Sequence, residues 1–359
     1  MHMADALLSP AVGATFWAGT LGVISYCSKK LKENPDEKLI PLMGVLGAFI
    51  FAAQMINFTI PGTGSSGHLG GGMILAIILG PYAAFTVMAS VLTIQAFFFA
   101  DGGLLALGCN IWNLGLYPCF IAYPLIYRPF VQSGSNPKRI VIASVISAVI
   151  GLQLGAISVV IETMLSGRSE LPLSAFAMMM QPVHLAIGLA EGFVTAGVIN
   201  FVRAARPEIL ENVSSTRPLS ADVSMKKILA GLLVAAVLTG GMLSWFASAN
   251  PDGLEWSIEK VFGKPGLPEA ETGIAPALKK LQEKTAFLPD YKFKTGETKA
   301  GGQESGKGEK PWPSAEAGTS VSGILGSAMV LIFIFLIGFG IRLVRKNKTT
   351  QKTNNNDIR

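Results

Sequence analysis

From Gly70 to Ala100 the chain reads GGGMILAIILGPYAAFTVMASVLTIQAFFFA, without one acidic or basic side chain. A bilayer core about 30 Å thick takes roughly 20 apolar residues as one helix, so this run is too long for a single crossing. Gly80-Pro81 in its middle offers a turn or a helix start. The run therefore reads as two short helices, 66 to 80 and 82 to 100. Comparable apolar stretches lie at 11 to 27, 39 to 57, 104 to 127, 140 to 164, 178 to 203, 228 to 248 and 321 to 342. Half of the 359 residues are hydrophobic, 14% are charged and the mean hydropathy is +0.48, outside the range of soluble domains. Barrel-type alternation is absent. The expected fold is an all-α membrane protein with nine spans.

The formal charge of +6 and pI near 9.2 do not imply a nucleic-acid partner, because the basic residues gather in connections between spans and at the tail. Lys29, Lys30, Lys32 and Lys38 form one group, and Arg128, Lys138 and Arg139 a second. Arg203, Arg206, Arg217, Lys226 and Lys227 form a third, and Arg342, Arg345, Lys346 and Lys348 a fourth. Positive loops stay cytoplasmic. Nine spans counted from an outside N-terminus put all four groups inside, and put residue 1, His68 and Asp101-Gly102-Gly103 outside. The expected location is the cell (inner) membrane, with the N-terminus extracytoplasmic and the C-terminus cytoplasmic. Cys27, Cys109 and Cys119 lie in or beside apolar spans, so no disulfide framework is implied.

Four segments follow. Residues 1 to 203 hold seven spans, and 204 to 227, with Pro207 and Pro218, form a cytoplasmic linker. Residues 228 to 345 form a separate two-helix unit around a polar extracytoplasmic loop at 249 to 320, and 346 to 359 form a cytoplasmic tail. The loop reads as disordered from about Thr298 to Ser314.

The chemistry concentrates at the outer end. A histidine in second place offers one cation three nitrogens on consecutive small rings: the amine of Met1, the amide of His2 and its imidazole. The chain shows no signal peptide before Met1, and the bulky His2 disfavours removal of Met1. His68, within GTGSSGHLGGG at 62 to 72, adds a fourth nitrogen. Such a set is close to planar, which suits Ni(II) or Cu(II) and is open to Co(II), whereas Zn(II) prefers a tetrahedron. The amide must lose its proton, so affinity falls in acid. On the residues alone a plainer reading stays open, with His2 an accident of the terminus and His68 a loop residue.

The glycine-rich loop lacks the Gly-Lys-Ser/Thr ending of a phosphate loop and lies on the wrong side for ATP. It either lets backbone pass close to the N-terminal segment or is simply flexible. Gly44, Gly47, Ala48 and Ala52 make a small-residue face that serves internal packing or partner docking. Gln54, Asn57, Gln95, Asn110, Asn113, His184 and Glu191 are polar residues in or near apolar spans, where an unpartnered polar group is costly. Asn57, Ser66, Asp101, Asn110, His184 and Glu191 are candidates to support the ligands or line a path. His184 and Glu191, seven apart, share one helix face two turns apart, and no His-Glu-x-x-His zinc signature is present.

Several motifs occur together and in order: the opening MHMADALLSP, Asn57-Phe58 followed by GSSGHLGG at 64 to 71, Asp101-Gly102-Gly103 with Ala106-Leu107-Gly108, and HLAIGLAEG at 184 to 192. Over residues 1 to about 203 the chain thereby resembles the CbiM/NikM family, the substrate-capture (S) components of energy-coupling factor transporters for cobalt and nickel. The opening departs from relatives at Met3, Ala4 and Ala6, none of them an expected ligand. NPDGLEW at 250 to 256, between two membrane helices, is similar to the PDGLE domain of the CbiN/NikN accessory subunits, so the chain looks like two subunits fused.

The resemblance implies a seven-helix S-component bundle, and metal held by the Met1 amine, the His2 amide and imidazole, and His68. It implies Ni(II) or Co(II) as transported substrate and no permanent cofactor. It further implies a transmembrane coupling (T) subunit docking at Ala48-x-x-x-Ala52, two cytoplasmic ABC ATPases that hydrolyse ATP, and no catalytic machinery in this chain. Two other classes stand beside it. A stand-alone metal permease or channel would transport without ATPase partners, and a membrane metalloenzyme would use His184 and Glu191 around a catalytic metal.

Overall fold

The computed structural model describes residues 2–33, 36, 38–131, 136–168, 170–210, 225–264, 266–268, 272–294, 313 and 316–356, with side chains only to residue 341 in the last helix. Met1, linker residues 211 to 224, nearly all of Thr298 to Ser314 and the last three residues lie outside the described residues.

Each of the nine expected spans holds a helix. In chain order these are α1 (Pro10–Glu33), α2 (Leu39–Gln54), α3 (Gly72–Leu79), α4 (Pro81–Phe99) and α5 (Leu107–Ile111). The last continues through a π-helical stretch, Trp112–Tyr127, into α6 (Arg128–Phe130). Pro118 and Pro124 lie inside that stretch, where they cannot supply the N–H of a regular ladder. Then come α7 (Pro137–Leu165), α8 (Leu173–Ala205), α9 (Lys226–Gly241), α10 (Gly253–Phe262), α11 (Ala275–Thr285) and α12 (Ala317–Asn356). Among the described residues, four helices are long and apolar enough to cross a bilayer: α4, α7, α8 and residues Ala317–Ile341 of α12.

The span expected at 66 to 80 is corrected. Its helix, α3, has eight residues and rises about 12 Å, under half of a hydrocarbon core. The third span of the first unit is therefore a short helix that does not cross alone. The reason is the Gly70-Gly71-Gly72 run, whose Gly71 stands at φ 76° and cannot continue a helix upstream. Non-helical backbone at that depth needs protein partners, and it has them. Gln54 Nε2 donates to the Gly70 carbonyl at 2.8 Å, and the Glu191 carboxylate accepts from the Gly70 and Gly71 amides at 2.7 and 3.2 Å.

The fold is also not purely helical. Strands β1 (Phe58–Ile60) and β2 (Ser65–Gly67) pair antiparallel, with Thr59 opposite Ser66, so His68 follows a hairpin rather than a slack loop. Nor is the long polar loop free. Helix α10 packs on α8 and opens with a capping box, Asp252 Oδ1 accepting from the Leu254 and Glu255 amides at 2.9 and 2.8 Å. Gln282 of α11 donates to the Ala96 and Gly102 carbonyls at 2.9 and 2.7 Å.

The last two membrane helices do not stand apart either. Both α9 and α12 pack on α2. Ser327 Oγ donates to the Ala48 carbonyl at 3.0 Å, and Gly47 faces Val330 and Ile334. Ala48 and Ala52 are buried, and α12 covers the small-residue face at Ala48, so a docking subunit would meet α12 before it met Ala48. Helices α9 and α12 touch backbone to backbone at Gly240 and Gly323. All three cysteines are buried and free.

Candidate metal centre

The segment after Met1 is pinned by the loop beyond α4 and by α5. Met3 N donates to Asn110 Oδ1 at 2.8 Å, Asn110 Nδ2 returns a bond to the Met3 carbonyl at 3.2 Å, and Gly103 N reaches the same carbonyl at 2.9 Å. Asp5 Oδ1 accepts from the Ala106 amide at 3.0 Å. Position 103 must be glycine here, because a Cβ would stand 1.8 Å from Asp5 Oδ1. These bonds present His2 at the mouth of the bundle.

There His2 and His68 lie face to face, ring centroids 5.0 Å apart and planes 22° from parallel. With a metal–nitrogen distance of about 2.0 Å, each centroid would sit roughly 3 Å from a shared ion, so two neighbouring imidazoles of one planar site stand roughly 4 to 5 Å apart. His2 Nδ1, the nitrogen that closes a small ring with its own amide, lies 3.4 Å from Asp101 Oδ1. Tyr291 donates to the other Asp101 oxygen at 2.5 Å. His68 Nδ1 sits 3.1 Å from the Leu69 carbonyl, which can only accept, so that nitrogen carries the proton. Its Nε2 lies 4.0 Å from Asp252 Oδ2.

Burial draws both imidazoles down to about 3, so both are neutral with lone pairs available at neutral pH. Burial pushes Asp101 up, against the bond from Tyr291. Burial and the adjacent Asp252 push Glu255 up to about 7. Among the described residues no three His, Cys, Asp or Glu side chains close on one point. Among the described residues the arrangement is two imidazoles with a carboxylate on either flank.

The remaining expected residues divide. Asn110 clamps the N-terminal segment, and Asp101 lies on His2. Ser66 is not directed at the imidazoles. Its hydroxyl donates to the Asn250 and Pro251 carbonyls at 2.8 and 3.2 Å and its amide to Pro251 O at 2.8 Å, a bridge that ties the hairpin to the turn before α10. The Asn57 carbonyl accepts from the Ser248 amide at 2.6 Å, also an anchor between the two halves. His184 lines a small cavity with His68, whereas Glu191, on the same helix, caps α3 through Gly70 and Gly71. Gln95 Nε2 donates to Gln54 Oε1 at 3.0 Å and steadies it. Asn113 Nδ2 donates to Glu162 Oε2 at 2.9 Å.

Three residues escaped the sequence reading: Asp252, Tyr291 and the fully buried Glu162. Asp252 carried a signal, since Asp-x-x-Glu before an apolar stretch is a helix-start pattern. Tyr291 carried none. Glu162 carried one as well, a carboxylate inside an apolar span.

Residues 2–209 match the family described as cobalt uptake substrate-specific transmembrane region, and residues 226–343 match the PDGLE domain. A protein of Archaeoglobus fulgidus, provisionally named fused nickel transport protein NikMN, is 33% identical over 94% of this chain and 98% of its own length. The fused nickel transport protein NikMN of Rhodobacter capsulatus is 30% identical, covering 81% of this chain and 88% of its own. A crystal structure of a truncated transition metal transporter superposes with a TM-score of 0.51 at 30% identity, covering 57% of this chain and 99% of that one.

Proposed function

Because this chain belongs to the cobalt uptake substrate-specific transmembrane family, with a PDGLE domain joined behind it, we propose that it is the substrate-binding membrane subunit of an ABC-type, energy-coupling factor importer. It captures Ni(II) or Co(II) at the outer face of the cell membrane. The Met1 amine, the His2 amide and imidazole, and His68 hold the ion. A transmembrane coupling subunit and two cytoplasmic ATPases, which hydrolyse the ATP, drive its delivery inward. The chain itself catalyses no reaction. The four basic groups support a cytoplasmic C-terminus and an outside N-terminus.

The observation that carries this reading is the pair of neutral, buried imidazoles 5.0 Å apart beside an anchored N-terminal segment. The negative flanks Asp101 and Asp252 favour a dication there. The test is calorimetric binding of Ni(II) and Co(II) to purified protein, beside His2→Ala, His68→Ala and an N-terminal extension of several residues. A single added residue would be a poor control, because it places a histidine third and creates a new amine-to-imidazole chelate. Tight one-to-one binding should weaken by about a hundredfold or more in all three variants, roughly 2.7 kcal/mol for the lost donors. Tight binding that survives the long extension would refute the free-amine chelate. Uptake that requires co-expressed coupling and ATPase subunits would support the importer, and uptake by this chain alone would refute it.

A further inference from the structure

His184 is 1% exposed and sits eleven residues into α8. Its Nδ1 lies 2.8 Å from the Met180 carbonyl, so Nδ1 bears the proton and Nε2 is left with a lone pair. That Nε2 is buried and, among the described residues, has no hydrogen-bond partner. The ring lines a small cavity together with Gly67, His68, Gly70, Leu114, Leu152 and Ile187. Inside a membrane protein an unsatisfied lone pair destabilises the fold unless it serves something. Among the described residues the side chains that share the cavity wall are those of His68 and the aliphatic Leu114, Leu152 and Ile187, and none of them bonds this nitrogen.

His68 is wired alike at Nδ1. That nitrogen donates to the Leu69 carbonyl, while its Nε2 lies 4.0 Å from Asp252 Oδ2 and is the nitrogen the capture reading turns to the ion. This is the arrangement of metal-binding histidines, in which one ring nitrogen donates to a carbonyl or carboxylate and thereby fixes the tautomer and aims the other at the metal. Two imidazoles with this wiring border one cavity, on the bundle side of the His2 and His68 stack.

We propose that His184 Nε2 and His68 Nε2 form a second, inner position for the transported cation, to which the ion passes after leaving the planar nitrogen set. The proposal rests on the capture reading and adds the next step to it. The inner position has two protein nitrogens where the outer has four, so it holds the ion more weakly. A transfer position needs that property, because an ion bound too tightly does not leave. The roof of the position comes from the second unit. A Cβ on Gly253 would lie 3.3 Å from His184 Cε1, so the turn carrying Asp252 rests directly on this ring.

The test uses full-length protein and Ni(II) alone. A background with the long N-terminal extension and His2→Ala removes the outer set and leaves His68 and His184. It should keep one weaker Ni(II) equivalent by calorimetry, with two imidazoles counted by X-ray absorption at the nickel edge. Adding His184→Gln or His184→Leu should weaken that equivalent by about tenfold or more and reduce the imidazole count to one. The same substitutions with an intact N-terminus should leave tight binding within about twofold, and an unshifted melting temperature of His184→Gln separates ligand loss from misfolding. Absence of the weak equivalent from the background, or its indifference to both His184 substitutions, would overturn the proposal. Equal loss of tight and weak binding would also overturn it, by assigning His184 a structural role. Failure of the capture reading is distinct, since it appears as tight binding that ignores His2.

Discussion

The contact between Gly253 and α8 gives the sharpest check on how the two halves meet. Gly253 is the first residue of α10, in a backbone conformation that alanine accepts. A methyl group there would stand 2.6 Å from Val183 Cγ1, 3.3 Å from His184 Cε1 and 3.4 Å from Ile187 Cδ1. Overpacking of this kind costs about 1 to 3 kcal/mol, and about 2 kcal/mol shifts a docked-to-undocked equilibrium roughly thirtyfold. Helix propensity acts oppositely, since alanine favours a helix over glycine by about 0.5 to 1 kcal/mol. The sign therefore separates the two effects. Hydrogen exchange of purified Gly253→Ala should show the Ser66 amide, which donates to Pro251 O, exchanging about ten- to thirtyfold faster. Val183→Ala in the same chain should restore most of the protection by removing the clashing methyl. Unchanged or slower exchange in Gly253→Ala would refute the docked turn, and failure of Val183→Ala to rescue would refute the named contact.

Two further outcomes follow from the same half of the chain. Glu255 is held at about 7 in the fold against 4.5 for the free group, so its protonated form is favoured there. The stability it contributes is fully present below about pH 4.5 and is lost as pH rises through 7, by at most about 3 kcal/mol. Exchange at the α10 amides should quicken between pH 5 and pH 8 beyond its intrinsic pH dependence. Glu255→Gln should remove the excess, and equal excess in both proteins would refute the assignment. At the crossing of α9 and α12, a Cβ on Gly323 would lie 2.4 Å from Gly240 O and 2.6 Å from Gly240 Cα, backbone that cannot rotate away. Gly323→Val should separate the pair and destabilise the second unit by about 2 kcal/mol or more. A melting temperature equal to that of the parent would count against that contact.

The helices were legible because bilayer length and apolar content set them, and every expected span contains one. What composition could not reveal was depth. The run 66 to 80 is apolar throughout, yet Gly70 to Gly72 break the helix, and the break is tolerated only because Gln54 and Glu191 reach in from α2 and α8. Those partners are 16 and 121 residues away from Gly70, and no local pattern records them. His2 and His68 could be singled out because one stands second in the chain and the other lies in the glycine-rich stretch at 62 to 72. Of their carboxylate neighbours Asp101 was singled out with them, whereas Asp252 was not, since it arrives on a turn from the other half of the chain. The same distance hid the cover over Ala48, because small-residue spacing cannot say whether a partner or the chain's own α12 occupies the face.

The positions of those two carboxylates link metal binding to docking of the second unit. Asp101 follows α4 but is held by Tyr291, beyond α11; Asp252 belongs to the second unit and is fixed by the first amides of α10. If the turn lifts away, His68 loses Asp252. At about 4 Å and an effective dielectric near 20, each unit charge pair is worth on the order of a few kcal/mol before desolvation. On the capture reading, a cation between His2 and His68 therefore favours the docked turn, and reciprocity requires that the docked turn favour the cation by the same factor. The cycle bounds the effect of Gly253→Ala on metal affinity. Undocking can weaken Ni(II) binding by at most the factor by which it shifts docking, about thirtyfold, whereas loss of His2 exceeds that bound because it removes a donor outright.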